Sequence, residues 1–382
     1  MRVLGFMSGT SLDGVDAAIL ETDGETVSGF GPALTVPFAE EERAVLVRAT
    51  EAARALDAAG ALEGSGRAPF APEEARFAAG RFAGSLFDRA GEAVVAAHGR
   101  AAQAVLACDG GAPVELAGFH GQTVLHRPER RLSAQLGDPA RLAARLGVPV
   151  VADLRQADLE AGGQGAPLVP VYHAALAERL GGERPIAFLN IGGVANLSWI
   201  GRDGRMTAFD TGPGNGLIDE LVQARGHGLY DADGRLAAAG RECGPVLEGF
   251  MAHPYFRRPA PKSLDRHDFS IDAVDGLAIG DAAATLAELT AASVEAACAL
   301  LDEAPDRWIV CGGGRRNPEM MRRLRGRLGC CEAAEAVGLR GDFIEAEAFA
   351  FLAARSVRGL PITFSGTTGV AGPLTGGRCY RP

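Results

Sequence analysis

The chain has 382 residues, 47% of them hydrophobic and 23% charged, with a formal net charge of −10 and an isoelectric point near 5.3. That length exceeds one ordinary core and points to two domains, and the composition is that of a folded globular protein. The acidic balance, with no basic run, argues against non-specific nucleic-acid binding, and the short, interrupted apolar runs predict no membrane-spanning helix.

In chain order, Val3–Met7 reads as a short buried strand that runs into Ser8-Gly9-Thr10-Ser11-Leu12-Asp13-Gly14. A second apolar run, Val15–Leu20, follows at once, so the pattern is a hairpin. Its turn combines glycines, hydroxyls and a carboxylate. Glycines let a ligand approach the backbone and leave N–H groups free for phosphate oxygens, while Asp13 and Asp16 can hold a metal ion through its waters. No GxxxxGK[ST] pattern occurs, so this is not a Walker-type loop, and a hairpin that merely needs glycine remains open. Glu25–Val36 is a third strand. Glu40–Ala59 and Pro72–Ala104 are alanine-rich and helix-periodic, with Gly60–Pro69 as the loop between them. Val114–Phe119 is a fourth strand delivering His120-Gly121-Gln122-Thr123 at its end, where open α/β sheets place ligands. Ala140–Leu146 reads as a helix, Pro149–Ala152 as a strand, Asp153–Gly165 as a polar loop and Pro170–Leu180 as a helix.

The pattern then restarts. Ile186–Ile191 ends in Gly192-Gly193, Ala195–Ile200 is its hairpin partner, and Met206–Phe209 is a third strand closed by Asp210-Thr211-Gly212-Pro213-Gly214-Asn215. Gly216–Arg225 is a helix; further helices are expected over Ala282–Leu301, Arg315–Leu328 and Glu345–Arg355. Trp308–Val310 is a strand ending in Cys311-Gly312-Gly313-Gly314. The tail Thr363–Gly377 is expected to pack back on the first domain. Three glycine turns after strands and a duplicated β-β-β-α order together look like a nucleotide cradle.

Chemistry concentrates at few places. Asp210 is placed to take a proton or orient a water, or else to cap a helix. Arg155 and Asp158 belong either to a site or to a loop ion pair. His120, Gln122 and Thr123 suit a hydroxyl-rich ligand or an ordinary polar turn. Glu345 is a first-turn dipole partner or a ligand residue. His126, His173 and His267 read as structural, and the histidine spacings offer no zinc site. The seven cysteines form no CxxC pair and are expected as free, buried thiols in a reducing cytoplasm. Nothing at the N-terminus reads as a signal peptide. Lys262 is the only lysine, leaving 37 of the 38 basic residues as arginine. It marks either a place where arginine's planar fork does not fit or a chance survivor on the surface.

Met7–Asp16, His120–Thr123, Gly163–Pro170, Asn190–Gly193 with Asn196, Asp210–Asn215 and Cys311–Gly314 together resemble the anhydro-N-acetylmuramic acid kinase family, in collinear order from residue 4 to about 356. The resemblance implies an α/β, two-domain actin-like ATPase (ribonuclease H-like) fold with duplicated β-β-β-α units around a central ATP cleft. Domains are expected at 1–139 plus 358–382 and at 140–357. It further implies a cytoplasmic ATP- and Mg²⁺-dependent enzyme of peptidoglycan recycling. Such an enzyme opens the 1,6-anhydro ring with water and phosphorylates O6, giving N-acetylmuramic acid 6-phosphate and ADP.

Carried over residue by residue, Gly9, Thr10, Ser11, Leu12, Asp13, Gly14, Val15 and Asp16 would hold the phosphates, with Gly192 and Gly193 approaching from the second domain. Gly312, Gly313, Gly314 and Asn317 would lie against the nucleotide. Asp210 would be the general base. His120, Gln122, Thr123, Arg155 and Glu345 would bind the substrate; Lys262, as the only ammonium side chain, is expected to join them by touching an anionic ligand group, either ATP phosphate or the sugar's lactyl carboxylate. Metal ligands stay open, with Asp13 and Asp16 reaching the ion through water. A homodimer is an open alternative; no nucleic-acid or membrane partner is expected. Two departures stand out: after Pro261-Lys262-Ser263 the chain reads Leu264-Asp265-Arg266-His267-Asp268, unlike the usual Thr-Gly-Arg-Glu, and Asp153–Asp158 is poor in arginine. Rival readings are a sugar kinase without ring opening and a non-catalytic actin-like ATP-binding regulatory protein.

Overall fold

A computed structural model describes residues 1–62, 76–78, 81–264 and 268–382. The chain divides into two compact units, residues 1–175 with 345–382 and residues 176–344. Each has its own hydrophobic core.

The first unit is built on a six-stranded sheet. Arg2–Met7 pairs antiparallel with Gly14–Thr22, which pairs antiparallel with Val27–Pro37. On its other side Arg2–Met7 runs parallel to Leu116–Phe119, and that strand runs parallel to Val150–Ala152. Val3, Leu4 and Phe6 have no exposed surface, as expected of a central strand covered on both faces. The helix Ile344–Val357 lies directly on this sheet. A Cβ at Gly5 would fall 1.9 Å from Ala346 O, and one at Gly118 2.0 Å from Phe349 O. The absence of a side chain at both glycines is what lets the helix backbone come so close.

The second unit repeats the plan in a five-stranded sheet. Ile186–Ile191, Val194–Ile200 and Met206–Pro213 form the antiparallel meander, while Arg307–Cys311 runs parallel to Ile186–Ile191 and Cys331–Ala333 parallel to Arg307–Cys311. In both sheets the core order is third, second, first, fourth, fifth strand, with identical senses. That is the duplicated ribonuclease H-like unit of a two-domain actin-like ATPase fold.

Several expectations are revised. Residues 140–175 and 345–357 cluster with the first unit rather than the second. Val150–Ala152 is hydrogen-bonded into the first sheet, and Arg378–Tyr380 adds to that strand antiparallel, which brings the tail back as expected. The long helix begins at Ser85, not Pro72: it follows a small hairpin of Arg76–Ala78 with Arg81–Ala83, and Gly84 at φ 109° cannot continue a right-handed helix. Residues 63–69 of the expected Gly60–Pro69 loop, together with 72–75, lie outside the described residues, as do Asp265, Arg266 and His267. Gln122–Arg127 and Leu132–Leu136 form a hairpin that periodicity did not reveal, and Gln156–Glu160 is a short helix within the expected loop. Arg315 and Arg316 lie in a 3-10 turn, and the helix begins at Pro318. The cysteines are free, but only Cys311 and Cys331 are buried, while Cys108, Cys330 and Cys379 are exposed. The segment Ile279–Leu300 is long and apolar enough to span a membrane, against expectation, yet 67% of its most apolar window is buried.

Candidate active site

In the first unit the turn after Arg2–Met7 is held from within. Leu12 adopts a left-handed conformation, φ 58°, and its N–H donates to Gly9 O at 3.3 Å. Gln122, fully buried, donates from Nε2 to Gly9 O at 3.1 Å, so the His120–Thr123 segment is brought onto the turn. Its Oε1 is buried without a partner, an acceptor that favours a donor-bearing ligand. Thr10, Ser11 and Asp13 are exposed, whereas Leu12 and Val15 are buried in the core and offer only backbone to a ligand. Asp16 accepts from the Thr35 hydroxyl at 2.5 Å.

Arg155 connects the rest. Its NH2 lies 2.8 Å from His120 Nε2 and its NH1 donates to Gly165 O at 2.7 Å. His120 Nδ1 lies 2.7 Å from Gly121 O, which fixes the proton on Nδ1 and leaves Nε2 to accept from the guanidinium. Burial, then the Arg155 charge, hold His120 well below the usual histidine range. Burial lowers Arg155 to about 10, with Glu345 and Asp158 opposing. Glu345 sits in the first turn of its helix and is exposed. The surrounding protein and then the Asp16 carboxylate push its carboxyl up, with Arg155 opposing. Glu345 thus feels both Asp16 and Arg155 within one unit. Thr123 is fixed by Gln135, whose Nε2 donates to Thr123 Oγ1 at 3.2 Å.

In the second unit Asp210 lies inside a strand rather than after it. Between Ala195 and Asn196 the register shifts, so that Ala195 faces Gly212 and Asn196 faces Asp210; Thr211 is the extra residue of a bulge, a device that re-aims neighbouring side chains. Pro213 ends the strand on the sheet's edge, where its missing N–H costs no ladder bond. Asp210 therefore caps no helix. Leu264 N donates to its Oδ2 at 2.9 Å, its own N–H donates to Lys262 O at 3.1 Å, and Tyr255 OH donates to its carbonyl at 2.6 Å. Burial raises its carboxyl to about 6, with the Leu264 N–H and the Lys262 charge opposing. A carboxylate tuned toward neutrality is what proton abstraction at ordinary pH requires.

The glycines sort into two groups. Cβ atoms at Gly312 and Gly314 would strike Asn190 Oδ1 and Ile191 Cγ2 at 2.4 Å, and one at Gly14 would meet Val36 O at 2.6 Å. Those positions are glycine because the protein itself comes close. At Gly9 and Gly313 the nearest atoms are 3.6 and 3.7 Å away, at Gly192 3.7 Å, and at Gly193 nothing lies within 4 Å. Packing does not require glycine there. Asn317 caps the helix Pro318–Leu328, accepting from Glu319 N and Met320 N at 3.0 Å. Lys262 is buried, with Nζ donating to Tyr255 O at 3.0 Å, so it is no surface survivor. No group of three or more potential metal-ligating side chains occurs among the described residues. Tyr255, Leu264 and Gln135 were not legible as site residues; their contribution lies in contacts with distant segments.

The sequence profile described as anhydro-N-acetylmuramic acid kinase matches residues 85–382. The anhydro-N-acetylmuramic acid kinase of Rhodospirillum rubrum is 52% identical over 376 residues, covering 98% of this chain and 92% of its own. The chain belongs to the anhydro-N-acetylmuramic acid kinase family. Its relative of that name from Caulobacter vibrioides is 50% identical, with 99% and 98% of the two chains covered. That from Phenylobacterium zucineum is 49% identical over the full length of both. Membership makes the chain an ATP-dependent sugar phosphotransferase.

Proposed function

We propose that the chain converts 1,6-anhydro-N-acetylmuramic acid, ATP and water into N-acetylmuramic acid 6-phosphate and ADP, with Asp210 as the general base. The observation that carries the residue assignment is the Asp210 carboxyl, half-buried, anchored by Leu264 N and raised to about 6. A water oxygen attacks the anomeric carbon, its proton passes to Asp210, and the bond from that carbon to O6 breaks. O6 then bonds to the γ-phosphorus as ADP leaves, so the leaving oxygen is taken by phosphate and needs no separate acid.

In this reading Gly9, Gly192, Gly193 and Gly313 are glycine because nucleotide phosphates or the nucleoside come close to their backbone. Thr10 and Ser11 add hydroxyl donors, and the unpartnered Gln122 Oε1 with Arg155, His120, Thr123 and Glu345 faces the sugar. The exposed Asp13 and the half-buried Asp16 suit a magnesium ion held mainly by phosphate oxygens and reached through water, since Mg²⁺ keeps much of its hydration shell. When bound, that ion neutralises charge on the phosphates. Seven free cysteines support a cytoplasmic setting.

Turnover in isotopically heavy water, followed by mass spectrometry of the sugar phosphate, tests the reading. Heavy oxygen is expected at the anomeric carbon and none in the phosphoryl group. The reverse distribution rules the mechanism out.

A further inference from the structure

An ammonium leaves water at considerable cost unless its protons find partners. Lys262, 7% exposed, meets that demand with backbone carbonyls: Nζ donates to Tyr255 O at 3.0 Å and to Phe256 O at 3.5 Å. It also stands 4.4 Å from the centroid of the Tyr255 ring and 5.5 Å from that of Phe209, within the range of cation–π attraction. These contacts tie residue 262 to residues 255 and 256, so the ammonium staples the 255–264 segment across its own loop. That same segment grips Asp210 at three atoms: the carbonyl through Tyr255 OH, the N–H through Lys262 O, and Oδ2 through Leu264 N. Among the described residues no carboxylate oxygen bonds the lysine, which distinguishes it from a surface ion pair.

We propose that Lys262 is a positioning residue for the general base: it locks the 255–264 segment in the shape that holds Asp210 and sets a fixed positive charge near the carboxylate, without contacting substrate. This replaces contact with an anionic ligand group as its role, and it rests on the reading of Asp210 as the base. A guanidinium, wider and committed to a planar fork, does not reproduce a point charge seated on a ring between two carbonyls. This accounts for a lysine in a chain otherwise served by arginine. The charged and titratable groups acting here are Lys262 and Tyr255 beside Asp210, Arg258 over the Tyr255 ring at 5.7 Å, and Asp268. Burial, then Arg258, bring Lys262 down to about 8, so it is still a cation where Asp210 titrates.

The test is the pH profile of kcat/KM for the anhydro sugar in Lys262→Met and Lys262→Arg, with ATP KM and thermal melting measured alongside. A neighbouring opposite charge holds a carboxyl down by about 1–3 pH units. Lys262→Met should therefore move the acid limb upward by roughly one unit and lower kcat, with ATP KM unchanged. Lys262→Arg should keep the acid limb but lower kcat by about tenfold, because the wider head displaces Tyr255 and with it Asp210. If Lys262→Met does not fold, the arginine variant and Tyr255→Phe decide: both must lose kcat with ATP KM retained. A folded Lys262→Met with wild-type acid limb and kcat, or wild-type kcat in Lys262→Arg, overturns the proposal. Near-normal turnover in Asp210→Asn would instead overturn the reading of the base itself.

Discussion

Thr368 donates its hydroxyl to Asp158 Oδ2 at 2.6 Å across 210 positions of sequence. The other carboxylate oxygen accepts Gly165 N at 2.7 Å, Gly165 O accepts Arg155 NH1 at 2.7 Å, and Gln164 N returns to Thr368 O at 2.7 Å. The C-terminal segment therefore fixes the loop that orients Arg155, and through it His120. Asp158 is a buried anchor, not an exposed loop ion pair.

Removing the hydroxyl with Thr368→Val leaves a buried carboxylate short of a donor, at a cost of about 1–3 kcal/mol. Arg155 loses its anchor, so the sugar KM should rise several-fold while ATP KM stays put; Thr368→Ser should restore both. An unchanged sugar KM in the valine variant would disconnect the tail from Arg155.

Gly9→Ala and Gly313→Ala should melt close to wild type, because their Cβ atoms meet nothing nearer than 3.6 Å, yet both should raise ATP KM. Gly314→Ala, aimed at Ile191 Cγ2 at 2.4 Å, should destabilise by about 1–3 kcal/mol as overpacking does. Thermal melts beside ATP titrations separate the two groups. A wild-type ATP KM for folded Gly9→Val and Gly313→Val would remove the nucleotide from these turns.

In the proposed mechanism the reaction needs the Asp210 carboxylate, and its carboxyl lies at about 6, so kcat/KM should fall as pH drops through that value. Asp210→Asn should abolish this limb and lower kcat by roughly 10²–10⁴-fold. Stability runs the opposite way. Between the ordinary aspartate value of 3.8 and about 6 the folded chain holds a proton that the unfolded chain has released, so this group's stabilising contribution is lost as pH rises through that window. Asp210→Asn should thus be more stable than wild type at pH 7, by up to about 2–3 kcal/mol, and gain nothing at pH 3. Denaturant melts at both pH values check the sign.

Burial holds His98 and His126 at about 4 and His173 at about 3. Each is neutral when folded but takes up a proton near 6.5 when unfolded. Their stabilising contribution is complete above about 6.5 and is lost as pH falls toward 4. Several such groups oppose the raised carboxyls of Asp210 and Glu345, so Tm should decline as pH falls over this range. A Tm that rises as pH falls would mean that buried carboxyls dominate.

The sequence by itself determined the two meanders, the glycine turns that end their first strands, and the family motifs, because period-2 apolar runs and glycine clusters are local signals. It determined that Gly9 and Gly312 are both glycine but not why. Only the folded chain separates a glycine pressed by Asn190 from one facing open space. Tertiary structure decided that residues 140–175 and 345–357 belong with the first sheet, through strand pairing at Val150–Ala152 and helix contact at Gly5 and Gly118. It also decided the character of Asp210 and Lys262. A bulge against Ala195 and Asn196 aims the aspartate, and a segment 45 to 54 positions away supplies the atoms that hold it. Burial sets both of their protonation equilibria, and burial is a sum over neighbours that no local pattern encodes.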